Sequence, residues 1–489
     1  VFLTACLTNS PLEGRQGGVT SVNLSQKITN KPFSQVWRFA QFCVHFALIT
    51  CLAIFLFAET SYSQPTTPSQ RLTVEKIEIQ GNSKTKREII LRELTFHETD
   101  AITPALIERN WQRLSATNFF KEVEFYTRPG SEKGRIIVVI EVRERRWPYF
   151  QFEGGHSDLN GWYFVPVSLR FDNIFGRGNL MGIRVHWGDR INKLSLGYFN
   201  PKLFKGSAYL GAELFGGKRQ YLYYLNSEQV VHDVEFGGLN LRFGGNHGLF
   251  KYLYFGLRSY NYRPEMTAVF IENDSVISAT ELPIEIVADL EERGVAAVSV
   301  GLQADLRDHI NYPLNGFWGA VVAEKAHSEF SSEIDFDRLT LDMRFYKRLF
   351  AGQVLALNFK GGYVGEEAPF YERFYLGGAN SLRGYPERRI TPVGYATKLL
   401  QGSAELRIPF YEPITGSRKS PAYAVLFFDT GGAWLPGQEP NSDDLFKSAG
   451  FGLRFNLPIV GLARLDFAFP LDKIEENDFQ LHLSLGHSF

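Results

Sequence analysis

A glycine-flanked arginine is the most distinctive charged residue of this sequence. The stretch Gly377–Arg389 reads GGANSLRGYPERR and places Arg383 between a leucine and a Gly-Tyr pair. A guanidinium carries a planar fork of donors that can pair with a carboxylate through two hydrogen bonds. Gly384 permits backbone conformations closed to other residues, and Tyr385 can pack while its hydroxyl stays available. These residues would suit a structural anchor, but taken alone they fit equally an arginine that lines a water-filled pore without a fixed partner.

Motifs for enzymatic chemistry are missing from the sequence. It contains no G-x-S-x-G elbow, no H-E-x-x-H pair and no P-loop. His482 and His487 fall on opposite faces of a strand, so they cannot share a metal ion. Glu366 and Glu367 are typical of a solvated loop pair rather than an acid–base couple. We therefore expect no catalytic residue, no metal site, no cofactor and no enzymatic activity.

The composition narrows the class of protein. The 489 residues include 52 basic and 53 acidic side chains, a balance that argues against a nucleic-acid partner. The 42 Phe, 22 Tyr and 45 Gly residues favour many strands and tight turns. A mean hydropathy of −0.16 is compatible with a membrane barrel, because half of each strand would face a polar lumen. All three cysteines precede residue 52, so the rest of the chain can form no disulfide, which suits an oxidising compartment.

The N-terminal residues predict a targeting segment. Cys43–Ala58 is the only long apolar run; it follows Lys31 and Arg38 and is shorter than the ~20 residues of a spanning helix. Small residues follow it, as at a secretory cleavage site. We assign residues 1–63 to an N-terminal extension with a signal peptide and residues 64–70 to a linker.

Residues 71–147 predict a small α+β module with the order β-α-α-β-β. An alternating strand begins at Leu72, and Thr85–Glu88 has the form of a capping box that opens a helix. Thr103 followed by proline predicts a second helix start. Two further strands begin at Val123 and Arg135.

Residues 148–489 change to a period of two. In Leu339–Phe345, for example, Leu, Leu, Met and Phe share one face while Thr, Asp and Arg take the other. At roughly 20 residues per strand and turn, this region predicts an antiparallel transmembrane β-barrel of about 16 strands. A soluble sandwich would alternate in the same way; the signal peptide and the lack of helical patterns favour the barrel. The last segment, Phe479–Phe489, has the length of one tilted membrane strand.

Two sets of motifs carry a family resemblance. The phrases VEKIEIQGNSKTKREIILREL, LSATNFFKEVEF and IVVIEVRE within residues 71–147 resemble a POTRA domain. FYLGGANSLRGYPERR, FFDTGGAW (Phe427–Trp434), GSAELRIPF (Gly402–Phe410) and DNIFGRGN (Asp172–Asn179) resemble the BamA/TamA superfamily of outer-membrane assembly proteins, the surface antigen type. The likeness covers residues 71–489, with a single POTRA domain.

The resemblance implies a site inside the barrel. In the family, a loop carrying a hydrophobic residue, Arg, Gly and an aromatic folds back into the lumen, and its arginine meets an acidic residue on a late strand. The matching residues here are Leu382, Arg383, Gly384, Tyr385 and Asp429. The family also implies a weak seam between the first strand, near Gly154 and Gly155, and the last. The final strand carries Leu481, Leu483, Leu485 and Phe489, which resemble a C-terminal assembly signal.

The implied function is insertion, assembly or translocation of polypeptides at the bacterial outer membrane, with the POTRA domain in the periplasm. Client strands would be engaged at the POTRA edge and at the seam. Expected partners are outer-membrane lipids, unfolded outer-membrane or secreted client polypeptides, and periplasmic or lipoprotein partners of the POTRA domain. Two alternatives stay open at this point: a two-partner-secretion exporter of one dedicated protein, and a passive pore with no client.

Overall fold

The computed structural model describes residues 72–117, 119–145, 149–150, 153–157, 161–309, 312–411, 422–457, 461–472, 474 and 479–485. The predicted signal peptide and linker (1–70) and Phe489 lie outside these ranges. Within them, three segments form α-helices, α1 (Arg87–Leu91), α2 (Pro104–Ala116) and α3 (Ile284–Val287). No helix in this part of the chain has both the length and the hydropathy needed to cross a membrane.

A four-stranded sheet forms the N-terminal module. Its strands are β1 (Leu72–Gln80), β2 (Ala101–Ile102), β3 (Phe120–Pro129) and β4 (Arg135–Glu144), in the spatial order β2-β1-β4-β3. β1 and β4 are parallel, and the other pairs are antiparallel. Buried Val74 and Val138 of the sheet pack with Ile90 of α1 and Leu114 of α2. The short β2 was not predicted; it adds a strand to the expected β-α-α-β-β order.

The two predicted helix starts had different outcomes. Thr103 caps α2 as expected, its hydroxyl accepting a hydrogen bond from the Leu106 amide at 3.3 Å. The capping box at Thr85 was wrong: α1 starts at Arg87, its N-cap is Lys86, and no side chain caps it. Thr85 is instead buried, and its hydroxyl accepts a hydrogen bond from Asn173 of the barrel at 2.7 Å. A contact between the two domains therefore replaces the local cap.

A closed antiparallel barrel forms the rest of the described chain. Its strands, with one short additional strand β13, are β5 (Tyr149–Phe150), β6 (Glu153–Ser157), β7 (Gly161–Ile174), β8 (Asn179–Gly188), β9 (Ile191–Leu203), β10 (Ala208–Leu225), β11 (Glu228–Gly245), β12 (Leu253–Phe270), β13 (Val276–Ser278), β14 (Arg293–Asp305), β15 (Gly316–Ala326), β16 (Phe336–Arg348), β17 (Val354–Val364), β18 (Lys398–Tyr411), β19 (Ala422–Trp434), β20 (Phe446–Leu457), β21 (Gly461–Pro470) and β22 (Gln480–Leu485).

The strand number agrees with the prediction. β5 and β6 both pair with β7 and act as two parts of one strand, while β13 pairs only with the end of β12. Counted this way, the described residues form a sixteen-stranded barrel. It closes where β22 lies beside β5 and β6.

The barrel is apolar outside and charged inside. On β10, Leu214 is 56% exposed while its neighbour Glu213 is 9% exposed; on β19, Phe428 is 43% exposed while Asp429 is fully buried. Charged residues on an outer face would be the rule for a soluble sandwich. The observed arrangement is that of a barrel whose outer surface meets lipid, because an Arg or Lys facing mid-membrane costs about 2–4 kcal/mol.

The two ends of the barrel differ. The turn between β7 and β8 contacts the N-terminal module, so we call that end the POTRA end. There the Lys86 amide donates to the Gly176 carbonyl at 3.2 Å. At the opposite end, the longest connection, residues 365–397 between β17 and β18, turns back into the barrel. This segment is called the inner loop below.

Candidate functional site

Arg383 of the inner loop is the centre of the candidate site. Its side chain is 3% exposed and forms a bidentate pair with Asp429 of β19: Nε lies 2.7 Å from Oδ2, and Nη2 lies 2.8 Å from Oδ1. Nη1 donates to Glu405 of β18 at 2.8 Å. The guanidinium also stacks on the Phe427 ring, 3.6 Å from its centroid. The arginine and the aspartate that the resemblance selected are therefore in direct contact.

Arg383 of the inner loop forms a larger buried ion cluster with six charged residues on four consecutive strands, β18 to β21. The cluster holds four guanidiniums and three carboxylates, each side chain belonging to a residue at most 4% exposed: Arg383, Arg407, Arg454, Arg464, Glu405, Asp429 and Asp466. Arg454 pairs with Asp466 at 2.7 Å, and Arg407 pairs with Glu405 at 3.0 Å. The attraction between buried opposite charges offsets the cost of removing them from water only when they are held in such close contact.

The residues flanking Arg383 fix the loop backbone. Leu382 is fully buried, in a small apolar cluster with Leu376 and Ile390. Gly384 has a φ of +96°, and a Cβ at this position would lie 2.7 Å from the Ser448 Cβ, so glycine is required both by conformation and by space. The Tyr385 hydroxyl lies 2.9 Å from the Lys447 carbonyl in β20 and 3.0 Å from the Asp472 carbonyl just after β21.

Arg464 of β21 holds the same loop from another side. Its Nη1 donates to the Asn380 side chain at 2.9 Å and its Nη2 to the Ala379 carbonyl at 2.7 Å. Gln401 of β18 donates to the Ser381 carbonyl at 2.5 Å. The tip of the inner loop is thus bound to the wall by side chains and not only by its own arginine.

A second ion cluster fixes the beginning of the inner loop. Glu372 is 1% exposed and accepts two hydrogen bonds from Arg258 of β12, at 2.8 Å and 3.0 Å. Arg338 of β16 pairs with the same carboxylate. Glu324 of β15 completes the cluster, 2.6 Å from Arg258. Two arginines and two glutamates balance in charge, and this second clamp lies on strands that the first cluster does not reach.

An aromatic layer joins the inner loop to the connection between β12 and β14. Phe370 and Tyr371 pack against Tyr221 and against Ile286 of α3. The Phe370 amide donates to the Asp289 carboxylate at 2.8 Å. Burial raises the pKa of Asp289 to about 6, even though this hydrogen bond acts in the opposite direction. The connection and the inner loop thus form one layer at the end of the barrel away from the POTRA module.

The predicted seam residues lie where the barrel closes. Gly154 and Gly155 are in β6, opposite Phe164 and Tyr163 of β7. In β22, Leu481 and Leu483 are 53% and 48% exposed on the outer face. Leu485 ends this strand, and the placement of its side chain is not described.

The POTRA module is attached to the barrel by specific contacts. Glu144 accepts hydrogen bonds from the Ser83 hydroxyl and from the backbone of Lys84 and Thr85. Although burial acts to raise it, these bonds hold the pKa of Glu144 below its usual range. The loop they fix carries Thr85, the residue that bonds Asn173. A side chain at Gly176 would clash with the Lys84 carbonyl, which explains a glycine in this turn.

Sequence reasoning found Arg383 and Asp429 but missed their neighbours. Glu405 lies within the GSAELRIPF motif, but neither it nor Arg464 and Glu372 was singled out as a site residue. Period-two alternation could have placed Glu405 on the inner face. It could not have said which arginine reaches that carboxylate, since the partners are far apart in sequence.

The fold and this site define a class: a POTRA-bearing transmembrane barrel of the outer membrane with an internally fixed loop. The comparisons agree, because residues 173–489 match the family described as the Omp85 superfamily domain. Residues 72–145 match the POTRA family described as a surface antigen variable number repeat. The chain belongs to the Omp85 superfamily.

The similar proteins include outer membrane protein assembly factor BamA of Nitratidesulfovibrio vulgaris, 24% identical over 86% of this chain and 52% of that protein. Another is the chloroplastic outer envelope protein 80 of Arabidopsis thaliana, 23% identical over 79% of this chain and 52% of that protein. The chain spans about half the length of these curated relatives.

Two solved structures share the fold. The crystal structure of BamA from Haemophilus ducreyi lacking POTRA domains 1–3 has a TM-score of 0.63 at 18% identity and covers 86% of this chain and 84% of that one. CdiB from Escherichia coli has a TM-score of 0.55 at 13% identity, with 85% and 76% covered.

Proposed function

We propose that this protein inserts or translocates polypeptides at the outer membrane, with its POTRA module in the periplasm. The observation that carries the proposal is the inner loop, clamped to β18–β21 by the Arg383 cluster inside a barrel of the Omp85 superfamily. A clamped loop keeps this part of the wall in one shape. The neighbouring β22, at the closure, is free of such a clamp in the described residues.

The seam supplies a mechanism that needs no nucleotide. Strand pairing is weakened by glycine, which packs no side chain against its neighbour, and Gly154 and Gly155 lie in the first strand. If β22 separates from β5 and β6, both edges expose unpaired backbone groups that can template a client strand. Leu481, Leu483, Leu485 and Phe489 are then the recognition signal for assembly of this barrel itself.

The POTRA module offers an edge for the same chemistry. β3 is an edge strand of the sheet, ten residues long. Backbone hydrogen bonds from an edge give sequence-tolerant affinity for an extended client. We propose unfolded outer-membrane or secreted polypeptides as clients, outer-membrane lipids as the surroundings, and periplasmic or lipoprotein partners at the POTRA module, assigned to residues 71–147 ahead of a barrel at 148–489.

We further propose that the protein is not an enzyme and works without a cofactor. In the described residues no three His, Cys, Asp or Glu side chains form a group that could hold a metal ion. The charged clusters of the lumen are bound to each other and to the inner loop, which is a structural use of charge.

A reconstitution assay tests the proposal. Purified protein is placed in liposomes, an unfolded barrel client is added, and folding of the client is followed by its altered mobility in unheated gels. We expect faster client insertion than in protein-free liposomes. Ion conductance without faster client insertion would identify a passive pore and contradict the proposal. Passage of one secreted protein into the interior of the liposomes, without insertion of barrel clients, would favour an exporter.

A further inference from the structure

A cavity of about 870 Å³ lies between the POTRA module and the barrel wall. Arg92 and Arg113 of the module form one side of it. Lumen-facing residues of β9 to β12 and of β14, together with the turn between β11 and β12, form the other sides. This volume falls within the range of pockets that enclose a small ligand or a short peptide segment. We call it the POTRA-end cavity.

The walls of the POTRA-end cavity are held in place before any ligand arrives. Lys202, between the domains, donates to the Glu93 carboxylate at 2.6 Å and to the Arg92 carbonyl at 3.3 Å. Arg113 donates to the Glu93 carbonyl at 3.0 Å. A side chain at Gly178 would clash with the Arg92 guanidinium. A preformed cavity binds with less loss of conformational freedom than one assembled around its ligand.

The lining is cationic and aromatic. It contains five basic side chains, Arg92, Arg113, Lys202, Arg242 and Lys251, against two carboxylates, Glu213 and Asp305. Both carboxylates already form ion pairs: Glu213 lies 3.0 Å from Lys193, and Asp305 lies 2.7 Å from Arg307. Glu93 in turn pairs with Lys202 at 2.6 Å. With these partners included, seven basic side chains stand against three carboxylates, so an excess of positive charge remains for a ligand that enters.

Aromatic rings lie next to these charges. The Arg242 guanidinium stacks 3.5 Å from the centroid of Tyr254, and Lys251 lies 4.6 Å from that of Tyr252. Tyr198, Phe199 and Tyr209 also line the space. Rings beside cations suit a ligand that combines carboxylates with aromatic or apolar groups, because each part finds a complementary surface.

We propose that the POTRA-end cavity receives an acidic segment of client polypeptide that also carries aromatic side chains. This inference rests on the proposed function and names the class of segment that passes from the POTRA module to the barrel. A polypeptide is favoured over a lipid because the charged lining residues Glu213 and Arg242 lie on the lumen side of the wall. Glu213 lines the cavity while Leu214 faces outward, so a lipid would have to leave the membrane to enter.

Peptide binding to the full-length protein in detergent micelles tests this directly. The probe is a short labelled peptide of alternating Asp and Phe residues. The control peptide is the same except that Asn replaces each Asp. We expect the acidic peptide to bind at least about tenfold more tightly and to lose affinity as salt rises. Equal binding of both peptides would overturn the proposal without any need for a variant.

Charge-neutral variants locate the binding. Arg113→Gln combined with Lys251→Gln removes one charge from each side of the cavity, and we expect at least about tenfold weaker binding of the acidic peptide. The matched control, Arg109→Gln with Lys347→Gln, removes the same charges from exposed positions outside the lining and should change affinity by no more than about twofold. Equal losses in the two variants would mean non-specific attraction and overturn the assignment.

Two further readouts separate the possible causes of failure. Binding of soluble short-chain phosphatidylglycerol in the cavity, with no binding of the acidic peptide, would assign the site to lipid and overturn the proposal. The liposome insertion assay is run on the same preparations. If wild-type protein speeds client insertion and the cavity variant matches it in both peptide affinity and insertion rate, the cavity proposal fails while the proposed function stands. If the protein binds the acidic peptide selectively but does not speed insertion, the proposed function fails while the cavity remains a peptide-binding site.

Discussion

Replacing Arg383 with alanine is the sharpest test of the clamped inner loop. The change removes both side-chain hydrogen bonds to Asp429, leaving that fully buried carboxylate with the Ser403 hydroxyl at 2.6 Å and the backbone amide of residue 383 at 3.4 Å. Glu405 is less affected, because Arg407 remains 3.0 Å from it. A buried charge that loses its partner costs about 3–5 kcal/mol, and loss of the stacking on Phe427 adds about 0.5–1 kcal/mol.

Graded variants show which part of the arginine matters. Arg383→Lys keeps the charge but loses the planar fork, so we expect about half of the destabilisation. The double variant Arg383→Ala/Asp429→Ala removes the stranded carboxylate and should show a coupling energy of about 1–3 kcal/mol relative to the two single variants. Arg389→Ala is the control in the same loop: this half-buried arginine donates to Ser227 and stacks on Tyr224, and its replacement should cost about 1 kcal/mol or less.

The assay is urea-induced unfolding of the protein in detergent micelles, followed by tryptophan fluorescence, together with limited proteolysis of the inner loop. Arg383→Ala should lower the unfolding midpoint and expose the loop to protease, whereas Arg389→Ala should do neither. An Arg383→Ala protein with wild-type midpoint, protease resistance and client insertion would refute the reasoning, because the contact would then be incidental.

Three other perturbations follow from the same structure. Glu372→Gln should weaken the second clamp by about 2–3 kcal/mol, since a charge-assisted pair becomes a neutral one, and increase proteolysis of the inner loop, while Glu367→Gln in an exposed part of that loop should not. Gly384→Ala should destabilise the barrel by about 1–3 kcal/mol through its φ of +96° and its approach to Ser448, measured by urea unfolding. Asp289, whose folded pKa is about 6 against an ordinary 3.8, holds its proton better when folded, so its contribution of about 3 kcal/mol is present below pH 4 and is lost as pH rises through 6. Asp289→Asn should flatten that pH dependence of loop protection, and an unchanged profile would rule out this carboxylate as its source.

Much of the fold followed from short-range sequence pattern. The period of two along stretches such as Leu339–Phe345 gave strands, because successive side chains of a strand point to opposite faces. Thr103-Pro104 predicted a helix start for the same local reason. The capping box at Thr85 shows the limit: a local motif was overridden when Asn173, 88 residues later, took its hydroxyl.

The sequence by itself determined where the strands run, how many cross the barrel, and that Arg383 and Asp429 are charged residues in motifs of one family. Tertiary structure alone decided which face of each strand points outward, because alternation is symmetric until closure of the barrel encloses one face. It also selected the partners of each buried charge. Apart from the Arg383–Asp429 pair, which the family resemblance implied, these partners are distant in sequence: Glu372 meets Arg258 across 114 residues of chain, and Arg464 meets Asn380 across 84. No local rule encodes such pairs; they exist because the inner loop is folded back against a curved wall that brings distant strands within hydrogen-bond distance of it.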